Sequence, residues 1–398
     1  MQMRKLPGIA GVLAVLVLGL NACVKDNVST STQYYTAEEY ATLSAALDLP
    51  AEPIDYQVAL PVHLTQQGLK APIINNHKAA LGRVLFYDKN LSQNKTVSCA
   101  SCHKQELAFS DDKAFSEGFD GRHTKRNTLA LAAAANFESS YGGDGNGGSF
   151  SGFSETVRFF WDERANSIME QSRMTIQDDI EMGMPMHEVV ARIQTIPHYQ
   201  VLFRKAYGAT GISEDRVLEA IREFLNSFVS VNSKFDEGLA RTNDPFSDFD
   251  IFTSQENIGK RIYMENCASC HSHNLSTAVE NLANNGLDAY YTDQGRALVT
   301  GVSQDEGIFK VPFLRNIALT GPYMHDGRFN TLEEVVEHYN SGIQNHPNLD
   351  FRLRDPFTLD SPKRLQLTDS QKQSLIAFLH TLTDEEFVAD VRFMDPFR

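Results

Sequence analysis

Cys99-Ala-Ser-Cys102-His103 and Cys267-Ala-Ser-Cys270-His271 are two copies of one pattern in a chain of 398 residues that holds only five cysteines. A chain of this composition should yield roughly 0.002 C-x-x-C-H matches by chance, so a pair of them is a strong signal. Cysteines three apart lie on adjacent faces of one helical turn, where both sulfurs can form thioethers to the vinyl groups of one haem. The next residue, His103 or His271, then projects beneath the macrocycle as the proximal iron ligand. Zinc is a weaker reading, because zinc pairs rarely carry a His directly after each Cys pair. Disulfides are the default for an exported chain, yet two haems leave no thiol over.

The fifth cysteine sits at the end of a targeting segment. Arg4 and Lys5 precede the uncharged run Ile9 to Leu20, which is too short for a bilayer span of ~20 helical residues and suits a signal-peptide core. The run ends in Leu20-Asn21-Ala22-Cys23, which resembles a bacterial lipobox whose Cys is acylated and becomes the first mature residue. Residues 1–22 are thus expected to be a signal peptide and 23–50 a lipid-anchored tether, polar from Val24 to Gln33. Haem attachment requires export, so this segment and the two motifs support each other.

The flanking sequence reads as helix. Thr253/Glu256, Thr331/Glu334 and Thr368/Gln371 have capping-box spacing. Val217, Leu218, Ile221, Phe224, Leu225 and Phe228 form a helical apolar stripe after Ser213. Alternating strand patterns are scarce. The Gly-rich stretch 141–152 reads as a surface loop, and 242–250 as an interdomain linker. The expected fold is mainly α, with two cytochrome c-like domains at 51–245 and 246–398, each holding one covalently attached c-type haem. A formal net charge of −15 argues against nucleic acid as a partner, because an acidic surface repels phosphate at long range.

Several further stretches carry a resemblance: Leu81-Gly82-Arg83-Val84-Leu85-Phe86, Ala108-Phe109-Ser110-Asp111, Lys125-Arg126-Asn127-Thr128, Phe160-Trp161-Asp162, Lys310-Val311-Pro312-Phe313-Leu314-Arg315-Asn316 and Tyr323-Met324-His325-Asp326-Gly327. In this order they resemble the bacterial di-haem cytochrome c peroxidases and their MauG-like relatives over nearly the whole mature chain. The resemblance implies a peroxide-reacting haem in the first domain and an electron-handling haem in the second. It implies that Glu181 moves protons at the bound peroxide, that Gln171 hydrogen-bonds the oxygen species, and that Trp161, the only tryptophan, relays electrons or holes between the haems.

The axial positions depart from the best-known peroxidases. Where typical members carry a switchable distal His, this chain has Phe119; His123 lies four residues away and would need a different loop path. The first haem is therefore expected to have His103 as its only protein ligand. At the second, the family's distal Met position aligns with Tyr339, as in MauG-like members, with Met324 and His338 as competitors. The resemblance also implies a calcium ion held by the Asn127 side chain and the Thr320 and Pro322 carbonyls, ligands that suit a hard cation.

The function implied is reduction of hydrogen peroxide to water with electrons from a small periplasmic donor, such as a monohaem cytochrome c or a cupredoxin. The alternative is a MauG-like peroxide-dependent oxidase of a protein or organic substrate, and a second alternative is a non-enzymatic electron-transfer cytochrome. The expected location is the periplasm of a Gram-negative bacterium, with membrane attachment through the N-terminal lipid and a homodimer as one arrangement.

Overall fold

The computed structural model describes residues 34–66, 71–132, 158–275 and 281–398. The signal segment, Cys23, the polar tether up to Gln33 and the Gly-rich stretch 141–152 lie outside the described residues. What is described is mainly helical; the single strand pair among the described residues joins Leu282–Ala283 to Phe309–Lys310 antiparallel.

The capping residues act as their spacing predicts. Thr253, Thr331 and Thr368 each cap a helix in a reciprocal box with Glu256, Glu334 and Gln371, which satisfies backbone donors that the first helical turn leaves unpaired. Ser213 caps the helix Glu214–Asn226, whose stripe from Val217 to Phe228 is buried throughout.

The two halves are built on one device. In the first, the helix Asn76–Tyr87 crosses Glu214–Asn226 at Gly82; in the second, Ser254–Asn266 crosses Asp369–His380 at Gly259. A Cβ on Gly82 would lie 1.9 Å from the Ala220 carbonyl oxygen, and one on Gly259 1.8 Å from that of Ser374. Phe224 and Phe378, four residues further along, flank the same crossings. Only hydrogen in place of a side chain lets the backbones approach this closely.

Two boundaries differ from the sequence expectation. The helix Lys234–Thr242, expected at the end of the first domain, belongs to the second core: Phe235 and Leu239 are fully buried with Phe249, Phe252 and Phe378. The expected linker 242–250 is folded onto the same core, where Lys260 Nζ donates to the carbonyls of Pro245 (2.8 Å) and Ser247. Conversely Phe387 and Phe393, near the C-terminus, pack into the first core. Residues 34–50 are not a tether either. The helix Ala37–Ser44 buries Leu43 there, and Tyr35 and Leu47 join it. In each case a few aromatic or aliphatic side chains outweigh the local polarity that had suggested a solvated segment.

In an ordinary helix, replacing Gly with Ala gains up to about 1 kcal/mol. At Gly259 the sign should reverse: Gly259→Ala forces the crossing apart and should cost about 1–3 kcal/mol, the range of core overpacking. Thermal denaturation of the haem-loaded variant checks this, and an unfolding midpoint at or above the wild type would contradict so close a crossing.

Candidate functional site

Each motif sits on a short helical turn, Cys99–Cys102 and Ala268–His271, and each histidine is oriented by a carbonyl. Ala108 and Phe109 take left-handed backbone conformations, so that Lys104 N donates to Ser110 O and the Phe109 carbonyl lies 2.8 Å from His103 Nδ1. In the second half the Pro312 carbonyl lies 3.0 Å from His271 Nδ1. A carbonyl at Nδ1 fixes the proton there and leaves the Nε2 lone pair for a metal. Burial lowers both imidazoles, His271 to about 4, with the carbonyls opposing. Both rings are therefore neutral at pH 7, the form that ligates iron.

Beside the second motif is a cavity of about 240 Å³ lined by Cys267, Cys270 and His271, by apolar groups such as Leu314, Val336 and Leu375, and by Met324 and Tyr339. An apolar chamber with paired thiols, a neutral imidazole and a phenol fits a covalently held haem. The helix Leu332–Glu337 runs into a π-helical turn, His338–Gly342, that carries Tyr339; such turns often mark functional positions. Burial pushes the Tyr339 phenol up to about 12, with a hydrogen bond from Asn285 working the other way. A phenolate there thus requires a cation in contact. Asn285 Nδ2 lies 3.4 Å from Tyr339 Oη and 3.5 Å from Met324 Sδ. His338, the other competitor, is committed elsewhere, with Nε2 3.0 Å from the Asn285 carbonyl.

At the first motif, Gln171 and Glu181 both neighbour a residue that the sequence did not single out. Gln171 Nε2 donates to Thr175 Oγ1 at 3.0 Å, and Thr175 is near enough to the Glu181 carboxyl to lower its pKa. Thr175 lies one helical turn after Gln171 in the helix Ile168–Gln177, a spacing that could have found it. Burial raises the Glu181 carboxyl to about 7, Asp178 adds to this, and Thr175 and Arg164 oppose it. Burial also raises the Cys99 and Cys102 thiols, and the Glu181 charge contributes to both, as it must when the carboxylate sits beside the attachment turn.

The alternative path for His123 does not occur. Residues 116–124 form a tight hairpin, with Gly118 N donating to Arg122 O (2.8 Å) and Thr124 N to Ser116 O (2.9 Å), and His123 is exposed. Phe119 N donates to the Glu181 carbonyl at 3.1 Å, and its ring packs on Gly183. A phenyl ring, not an imidazole, thus stands next to Glu181.

Trp161 lies between the halves, clustered with Leu287, Tyr291 and Phe309. Its Nε1 donates to the Asn127 carbonyl at 2.8 Å, and Lys310 N donates to the Trp161 carbonyl at 2.7 Å. Next to it, Arg126 forks onto Asp293 (2.7 and 2.8 Å) and reaches Asp162 at 2.6 Å. Asn127, Thr320 and Pro322 line the same cavity wall. The Asn127 amide nitrogen donates to the Lys113 and Ala114 carbonyls, which turns its Oδ1 away from them. Among the described residues no group donates to the Thr320 or Pro322 carbonyls.

The di-haem cytochrome c peroxidase family model matches residues 76–244, and the cytochrome c model matches 257–383. The methylamine utilization protein MauG of Methylorubrum extorquens is 33% identical over 324 residues, which cover 79% of this chain and 81% of that protein. The chain belongs to the di-haem cytochrome c peroxidase family. This di-haem peroxidase is 28% identical to the cytochrome c551 peroxidase of Nitrosomonas europaea, over 78% of its own length and 81% of the relative's. The crystal structure of a MauG-like protein associated with microbial copper homeostasis superposes with a TM-score of 0.66 and 31% identity, covering 88% of this chain and 98% of that one. The peroxidase is accordingly a haem-dependent oxidoreductase with covalently bound c-type haems.

Proposed function

We propose that the enzyme reduces hydrogen peroxide at the first haem, with Glu181 as the proton shuttle, Trp161 as the electron relay and the second haem as the point of electron entry. The observation that carries this reading is the buried Glu181 carboxyl beside the Cys99–Cys102 turn. Each peroxide needs two electrons and two protons to become two waters. The haems supply the iron at which the O–O bond breaks and the capacity to exchange single electrons. Glu181, as carboxylate, takes the proton from one peroxide oxygen and returns it to the other, the leaving one; help of this type is worth ~10²–10⁴ in rate. Thr175, next to that carboxyl, favours its charged form, and Gln171 is the amide that would donate to bound oxygen. Phe119, having no ligating atom, leaves the distal side to peroxide. Electrons come from a small periplasmic redox protein, and lipid attachment at Cys23 places the enzyme at a membrane of a Gram-negative cell.

A MauG-like oxidation of a protein or organic substrate is the second reading. It is favoured by Tyr339, because a phenolate ligand stabilises ferric iron and makes entry of electrons from an ordinary donor unfavourable. A calcium ion at Asn127 Oδ1 with the Thr320 and Pro322 carbonyls completes the proposal. Because Asn127 also accepts from Trp161, the ion would brace the relay.

Glu181→Gln retains size and hydrogen bonding but cannot carry a proton. Its peroxide turnover should fall ~10²-fold or more with little change in the haem spectra; turnover within about threefold of wild type removes Glu181 from the mechanism. Since the carboxyl is raised to about 7 and the base form is needed, wild-type turnover should rise as pH increases through about 7. The variant should lose that rise.

Chelation of calcium should lower turnover and alter Trp161 fluorescence in haem-free protein, and Asn127→Ala should reproduce both without chelator. An unchanged Asn127→Ala variant would remove the ion from the proposal. Cys23→Ser should move the protein from the membrane to the soluble periplasmic fraction with both haems attached; recovery in the membrane pellet at wild-type levels would sink the lipid anchor.

A further inference from the structure

Two thioether or phenol donors, Met324 and Tyr339, line the second cavity, and one carboxamide touches both. Asn285 Nδ2 has two hydrogens, and the two groups it faces, Met324 Sδ at 3.5 Å and Tyr339 Oη at 3.4 Å, are the two candidates for the same axial position. The third candidate, His338, is held by the carbonyl of the same residue. Asn285 is thus in contact with every side chain that competes for this iron.

The segment that carries Asn285 is fixed on both sides. Asn284, fully buried, accepts from Gly286 N (2.8 Å) and Tyr291 Oη (3.1 Å) through Oδ1, and its own carbonyl accepts from Asp350 N at 3.0 Å. Gly286 has a φ of +67° and its carbonyl accepts from Gln344 N at 2.8 Å. A Cβ there would lie 2.5 Å from Ile343 Cγ2, so the strap is pressed against the end of the turn that bears Tyr339. The amide is held in place before any ligand is.

We propose that Asn285 is the positioning residue that makes Tyr339, rather than Met324, the distal ligand of the second haem. This rests on the reading of Tyr339 as that ligand. The physical argument is one of opposite effects from one group. A hydrogen bond donated to a phenolate oxygen stabilises the anionic form in which it would bind iron. A hydrogen bond donated to a thioether occupies a sulfur lone pair, the electrons that would otherwise go to iron. The same amide therefore favours the phenol as ligand and handicaps the sulfur. Hydrogen bonds to a ligand are also a recognised means by which a protein sets a haem potential.

The test uses full-length, haem-loaded protein and reads the ferric absorption spectrum and the reduction potential of the second haem. Asn285→Leu removes both donors at similar volume. It should bring up the thioether-to-iron charge-transfer band and raise the potential, by a shift equivalent to tenfold or more in the reduced-to-oxidised ratio, about 59 mV for one electron. Asn285→Asp, which keeps the shape but replaces the donor with oxygen, should move both readouts the same way and decides the matter if the Leu variant fails to load haem. Adding Met324→Leu to Asn285→Leu should abolish the new band, which assigns it to Met324. Wild-type spectrum and potential in a haem-loaded Asn285 variant overturn the proposal. The underlying reading fails differently: it falls if wild type already shows the thioether band, or if Tyr339→Phe leaves the second-haem spectrum unchanged.

Discussion

The contact on which the arrangement of the two haem sites depends is the Arg126 fork. Its guanidinium, largely withdrawn from water, holds Asp293 with two hydrogen bonds and Asp162 with a third. Asp162 takes a second cation, Arg164, and Arg296 donates to the Asp162 and Glu163 carbonyls. The backbone that follows Trp161 is thereby tied to both halves of the chain. Buried ion pairs add little to stability over an apolar substitute, since desolvation offsets their attraction. Their value is directional: a planar fork met by two carboxylates permits one register and few others. Trp161 takes its position between the haem sites from that register.

Much of the fold was legible because it is written in local rules. Caps at Thr253, Thr331 and Thr368 depend on residues three apart, and the stripe from Val217 to Phe228 on a period of 3.6. How the two cores share out their side chains was not legible, because it depends on where distant aromatic side chains find partners. Nothing near Phe235 distinguishes it from a first-domain residue; it is assigned by Phe249 and Phe378. The polarity around 242–250 pointed to solvent, where most of it lies, yet Phe249 is buried and Lys260 donates to two carbonyls of the stretch.

The site divides in the same way. Attachment residues and proximal histidines follow from one pattern, and the loops that orient the histidines, at Phe109 and Pro312, fall within the stretches quoted for the resemblance. Thr175 was within reach of helix spacing. Asn285 was not, because its significance comes from three side chains 39 to 54 residues further along the chain. The two distal environments also differ in kind. One offers a carboxylate with a proton to exchange and a phenyl ring in place of a ligand, and the other offers a choice of ligands.

The return of residues 387–397 to the first core has a consequence for folding. Leu47 pairs with Phe397, Asp48 N donates to Pro396 O, and the Arg83 and Tyr87 side chains donate to the carbonyls of Met394 and Phe393. Residues 387–397 are therefore structural parts of the first half. Until they arrive, Phe109 and Phe228 lack Phe387 and Phe393 as neighbours. The first core is thus complete only once residues 387–397 have packed into it.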